Sequence, residues 1–174
     1  MKLIHRKILA LNVMMTAVVC LATGCGTVKH TMNLSAGYAM SPDAKIEVGP
    51  VVNQTGKQLD IDIEKMLTDA LTEQLQKENL LAMGGDSQKL VIQSKVIEYD
   101  KGNAFKRWLM PGWGSTVLTI QCDLKDGDKI VGTADARRTI SIGGAYSIGA
   151  WKTVFEGIAN DMVKDLKKEI PKKM

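Results

Sequence analysis

The feature that most constrains the fold is an apolar stripe near the carboxyl end. Trp151, Val154, Phe155, Ile158, Ala159, Met162, Val163 and Leu166 recur at steps of three and four. That spacing lays them along one face of a helix for about four turns, and such a face needs another apolar surface to cover it. Lys164, Lys167 and Lys168 fall in the last turns, where the helix dipole favours cations, and Pro171 stops the run. Ile63, Met66, Leu67, Ala70, Leu71 and Leu75 form a second stripe, which predicts a helix from about Leu59 to Asn79. Asp60, Asp62 and Glu64 lie at its start. Capping and the helix dipole explain those alternating acids better than a metal site does.

The surface that receives these helices is a sheet. Lys45–Asn53 reads as a strand whose Pro50 limits its length or puts it near an edge, and Asn53-Gln54-Thr55-Gly56 as a turn. Lys89–Tyr99 places Leu90, Ile92 and Val96 on one face, and Ser115–Leu124 does the same with Leu118, Ile120, Cys122 and Leu124. Lys125-Asp126-Gly127-Asp128 is a hairpin turn; it lacks the further acids and closing Glu of a calcium loop. Lys129–Ile142 follows, with Ile130, Ala134, Ala136 and Ile140 sharing a face. Arg138 shares it too, so either its stem snorkels or the strand bulges. The expected fold is α/β (α+β): a four-stranded, mostly antiparallel sheet with two helices on one face, in the order β-α-β-β-β-α.

The amino end belongs to a different physical regime. Lys2, Arg6 and Lys7 precede an almost wholly apolar stretch from Ile8 to Thr23. This is the layout of a secretory signal, and it falls short of the ~20 residues of a spanning helix. Leu21-Ala22-Thr23-Gly24-Cys25 resembles a bacterial lipobox, with Ala22 where Leu is usual and Leu21 one place further out. The expectation is a signal peptide over 1–24, then an acylated Cys25 with a tether over 25–44, then one domain over 45–174; the alternative is ordinary cleavage by the general signal peptidase, releasing a soluble periplasmic protein. Several buried acyl chains, at ~0.8 kcal/mol per CH₂, would make the anchor permanent. Gly26 stands where Asp would resemble an inner-membrane retention signal, and the absence of Asp points to the outer membrane; the expected orientation is towards the periplasm, with the outer face left open. The tether would reach roughly 55 Å if fully extended, although Met32, Leu34, Tyr38 and Met40 alternate as packing residues do.

Composition narrows the function. Removing the signal takes three of the 23 basic residues and none of the 19 acids, leaving a net charge of about +1 and no electrostatic footprint for nucleic acid. Cys122 is then the only thiol beyond Cys25, so no intramolecular disulfide is expected. Histidine occurs at His5, in the signal, and at His30, in the expected tether. A domain without histidine excludes Ser-His-Asp, Cys-His and His-ligated zinc chemistry. The expectation is a protein that is not an enzyme and has no cofactor or metal.

Two segments invite a functional reading. Gly144 and Gly149 have the spacing of a phosphate loop, but Ala150 and Trp151 stand where Lys and Ser or Thr are needed. A glycine-rich turn into the last helix is favoured there. Residues 102–114 hold Phe105, Trp108, Trp113, Lys106 and Arg107 in a connection longer than a hairpin needs. Tryptophan beside cations suits a membrane interface or a protein hot spot. An equally weighted alternative folds Phe105, Trp108 and Leu109 back over the sheet as a lid. Phe105, Trp108 and Trp113 are the candidate apolar anchors, with Lys106 and Arg107 orienting them.

Gly102-Asn103-Ala104-Phe105-Lys106-Arg107-Trp108, Pro111-Gly112-x-Gly114, Gly143-Gly144 and Ile148-Gly149-Ala150-Trp151 together resemble an uncharacterised bacterial lipoprotein family, domain of unknown function 4410. The likeness spans roughly residues 45–168. More distantly, Ile46–Leu75 is similar to modules of curli-secretion lipoproteins and the TolB amino-terminal domain, which assemble with other envelope proteins. The combined expectation is a non-catalytic binding or assembly module of the cell envelope. Its partners would be the outer membrane, through the anchor, and an envelope protein or further copies of itself. The alternative is a carrier or enzyme acting on lipid or peptidoglycan fragments through an apolar cavity.

Overall fold

Alternation in the central segments produces the strands it predicts. The computed structural model describes residues 28–83, 89–141 and 149–171. Along the chain these form β1 (Val28–Leu34), β2 (Lys45–Asn53), α1 (Ile63–Lys77), β3 (Lys89–Asp100), α2 (Ala104–Leu109), β4 (Thr116–Asp126), β5 (Lys129–Ile140) and α3 (Ala150–Glu169). One sheet contains all five strands, in the order β1-β5-β4-β3-β2. Leu90, Ile92 and Val96 of β3 and Leu118, Ile120, Cys122 and Leu124 of β4 are buried on one face. The long helices α1 and α3 cover that face. Val154, Phe155, Ile158, Ala159, Met162, Val163 and Leu166 of α3 are buried, as are Ile63, Leu67, Ala70, Leu71 and Leu75 of α1. Each large side chain so covered contributes ~1.5–3 kcal/mol.

The sheet departs from expectation in three ways. It has five strands, not four, because residues 28–34 pair antiparallel with β5 and do not form a free tether. Met40 and Ala44 are buried, and the Tyr38 hydroxyl donates to the Asp126 carboxylate at 2.8 Å, so the segment up to β2 is also packed. The sheet is mixed and not mostly antiparallel: β2 runs parallel to β3, the pairing that a helix crossover between two strands makes available. Finally, the register slips between Leu124 and Lys125 opposite β5, leaving Val131 as an extra residue. That bulge sends Val131 inward and leaves Ile130 exposed, reversing the parity expected at the start of β5.

Local chemistry sets the boundaries. Asp62 caps α1 by accepting from the Lys65 amide at 2.8 Å, and Glu64 accepts from the Asn53 amide at 2.9 Å. Both acids therefore serve the helix start and the adjoining turn. Pro50 lies on β2, an outer strand, where its missing N–H costs the ladder little. Arg138 snorkels: its guanidinium runs over Gly157 of α3 to meet Asp161 at 2.6 Å.

Candidate functional site

The turn between β3 and β4 has a built geometry. Asn103 caps the short helix α2, its side-chain oxygen accepting from the Lys106 amide at 3.0 Å, while its own amide donates to the Gly114 carbonyl at 2.8 Å. Gly102 sits at φ +66°, and a Cβ there would lie 2.6 Å from the carbonyl oxygens of Gly114 and Ser115. Only glycine tolerates both that backbone and that approach. The far side is tied down as well: the Gly112 amide donates to the Ser141 carbonyl at 2.8 Å, and the Ser115 hydroxyl to the Gly112 carbonyl at 2.9 Å.

Arg107 is the pin of this turn. It is 2 % exposed, and its Nη1 donates to the Gly114 carbonyl at 2.7 Å and to the Thr116 hydroxyl at 2.9 Å. Thr116 passes the connection on by donating to the Lys101 carbonyl at 2.9 Å. Burial lowers the guanidinium pKa from its ordinary value; the group nonetheless stays cationic. The structure thus corrects the expectation that Arg107 meets a partner at the surface. The Gly114 carbonyl and the Thr116 hydroxyl gather beneath the helix, and the two N–H groups of Nη1 satisfy both.

The aromatic residues take the opposite course. Phe105 is 67 % exposed, Trp108 66 %, Leu109 58 %, Met110 61 % and Trp113 48 %. They do not fold back over the sheet as a lid. Phe105 and Trp108 lie 6.1 Å apart as tilted rings, and Lys106 Nζ stands 5.3 Å from the Trp113 ring. No acid occurs between Lys101 and Ser115. Trp151 lies near the same end of the sheet, its carbonyl receiving the Tyr99 hydroxyl at 3.3 Å. Its ring is flanked by Lys101 at 5.3 Å and Lys152 at 5.6 Å.

A second feature involves His30, which is expected in the tether but lies in the sheet. His30 lies in β1 and its Nδ1 bonds the Asp165 carboxylate of α3, which also receives Lys168 at 2.7 Å. Burial opposes ionisation of Asp165, but the bonds from Lys168 and His30 outweigh it and hold the carboxyl below its ordinary pKa. These residues border a surface groove of about 820 Å³, with Leu80, Ile170 and Pro171 as its apolar part. The alternation of Met32 and Leu34 was the sequence signal that could have placed His30 in a strand.

Cys122 is buried, donates to the Ser94 hydroxyl at 3.1 Å, and has its thiol pKa pushed up to about 12 by burial. It is a protonated core residue at neutral pH. Among the described residues no cluster of His, Cys, Asp or Glu could hold a metal, and no helix is long and apolar enough to cross a membrane. The glycine-rich segment from Gly143 to Ile148 and the expected acylation site Cys25 lie outside the described residues.

Fold and turn together define a class: small mixed α+β layers with two long helices on one sheet face and an exposed aromatic turn at one end. Residues 38–144 match the family described as a domain of unknown function (DUF4410), and the chain belongs to that family. No curated protein matches it. Among solved structures it is similar to PelC from Paraburkholderia phytofirmans, a dodecamer. That likeness has a TM-score of 0.56 at 15 % identity and covers 86 % of this chain and all of PelC. The dodecamer of a PelC point variant from the same organism gives 0.54 at 17 % identity, covering 81 % and 98 %. A protein of Xanthomonas campestris from family DUF330 gives 0.44 at 12 % identity, covering 75 % and 86 %. The PelC likenesses show a shared fold.

Proposed function

We propose that this protein is a lipid-anchored, non-catalytic binding and assembly module of the bacterial envelope. Cys25 carries the acyl chains, and the domain faces the periplasm from the outer membrane. Phe105, Trp108 and Trp113, with Lys106 beside them, form its contact surface, and Arg107 supports that surface from behind. The observation that carries the reading is the exposure of five large apolar side chains on a turn held rigid by a buried arginine. A soluble domain gains nothing from such a patch unless something covers it. The dodecamers formed by PelC support assembly into copies. The leader, the small residues before Cys25 and Gly26 after it support the anchor and its destination.

The test is to express the full chain in a didermic bacterium, separate the membranes, and measure the mass of the amino-terminal peptide and of the native particle. An acylated peptide beginning at Cys25, in the outer-membrane fraction, within a particle heavier than one chain, is expected. An unmodified Cys25 in a soluble monomer would refute the reading. The groove beside His30 and Lys168 favours one second reading, a carrier of a small amphiphile. Lipid that stays bound through purification and is lost in Ile170→Asp would identify it.

A further inference from the structure

We propose that the aromatic turn docks on the lipid bilayer that holds the protein's own anchor. This rests on the anchor reading above and names the partner of its contact surface. The argument comes from strand register. Val28, the first residue of β1, pairs with Arg138 near the end of β5. Arg138 pairs in turn with Leu118 near the start of β4, and Val117 with Asp100 at the end of β3. The amino terminus of β1 and the turn joining β3 to β4 therefore emerge from the same end of the sheet.

The distances are short. Cys25 precedes Val28 by three residues, which span at most ~11 Å. Strands lie ~4.8 Å apart, so β1 is roughly 10–15 Å from the β4 and β3 ends that carry the turn. The Gly112–Ser141 bond draws the turn toward the end of β5, the strand next to β1. Had residues 28–44 been a free tether, the anchor would place nothing. With β1 in the sheet, acyl chains on Cys25 bring this end to the bilayer and hold it there.

The chemistry at that end fits a lipid interface. Phe105, Trp108, Leu109, Met110 and Trp113 are exposed, as residues that settle among headgroups and upper acyl chains must be. Lys106 stands over the Trp113 ring, and Lys101 and Lys152 flank the nearby Trp151, Lys101 also pairing with Asp60 at 2.9 Å. With no acid between Lys101 and Ser115, the turn suits anionic headgroups. A protein partner would need this patch clear of the membrane, which so short a lead does not provide.

The experiment uses the full mature protein, purified from membranes as Trp151→Phe so that Trp108 and Trp113 are its only tryptophans. It is reconstituted into phosphatidylethanolamine–phosphatidylglycerol vesicles with or without brominated acyl chains, and mass spectrometry of the amino-terminal peptide accompanies it. An acylated protein that floats with the vesicles and loses tryptophan emission to brominated lipid supports the proposal. An acylated, floating protein whose emission is unchanged overturns it and leaves the anchor reading standing. So does a native mass that falls in Trp108→Ala with Trp113→Ala, since the patch would then be an interface between copies. An unacylated protein that does not float refutes the anchor reading, and the docking proposal with it.

Discussion

Replacing Arg107 by methionine isolates what the buried guanidinium does for the turn. Methionine keeps much of the apolar stem but removes the donors to the Gly114 carbonyl and the Thr116 hydroxyl. Hydrogen bonds from a charged group are worth ~1.5–3 kcal/mol each, and a neutral side chain also escapes the desolvation that a buried cation carries. The two effects partly cancel, leaving a loss of about 2–3 kcal/mol. For a domain of this size each kcal/mol moves Tm by ~2–4 °C, so a fall of roughly 5–10 °C is expected by calorimetry. Lysine at the same position keeps the charge but is shorter than the side chain that carries Nη1 to both oxygens, so Arg107→Lys should recover less than half of that loss. Limited proteolysis supplies a local readout: cleavage at Lys106 by trypsin should accelerate in both variants. An Arg107→Met protein that melts within a degree of the parent and is cut no faster would refute the pin.

Other outcomes follow from the core and the groove. Gly157→Ala places a Cβ against the Arg138 guanidinium, displacing the arginine from Asp161. It should therefore be neutral or destabilising alone but gain ~1 kcal/mol of helix propensity in an Arg138→Met background, as a double-mutant cycle in urea would read. Cys122, with its thiol pKa pushed to about 12, should resist a thiol reagent at pH 8 until the protein is unfolded. Asp165 has a folded pKa below its ordinary value, so its ionised form is the one the fold stabilises. That contribution is complete above the unfolded value of ~3.9 and disappears as pH falls through the folded one. The stability gap between parent and Asp165→Asn should thus be present at pH 6 and close toward pH 3.

The sequence was most legible where periodicity ran unopposed. The apolar stripes of α1 and α3 match their buried faces except at Met66 and Trp151, which are only half-buried. The bounds expected for β2 are those observed, because a turn sits at its end, although its register slips between Val48 and Val51 so that Val51 and not Val52 packs on the core. β1 escaped because only one of its faces meets the core, and it does so through Met32 and Leu34 alone, between polar neighbours. The parallel pairing was available from the order strand-helix-strand, which requires a crossover. The bulge at Val131 had no signal, since Ile130 and Val131 are equally apolar and register alone decides which goes inside. At the turn, residue types identified the aromatic surface, but Lys106 and Arg107 look alike in sequence. Their separation into one exposed and one buried cation depends on the oxygens gathered under α2, which only the folded backbone brings together.

The strands also set how far the molecule stands off from whatever holds its lower end. β3, β4 and β5 each run 11 or 12 residues, roughly 35–40 Å from end to end. On the docking proposed above, which puts the Val28 end at a bilayer, the hairpin between β4 and β5 would lie at the opposite end, braced by the Tyr38 hydroxyl on Asp126. The hairpin would then stand off from the anchored end at a height fixed by paired strands and not by a slack chain.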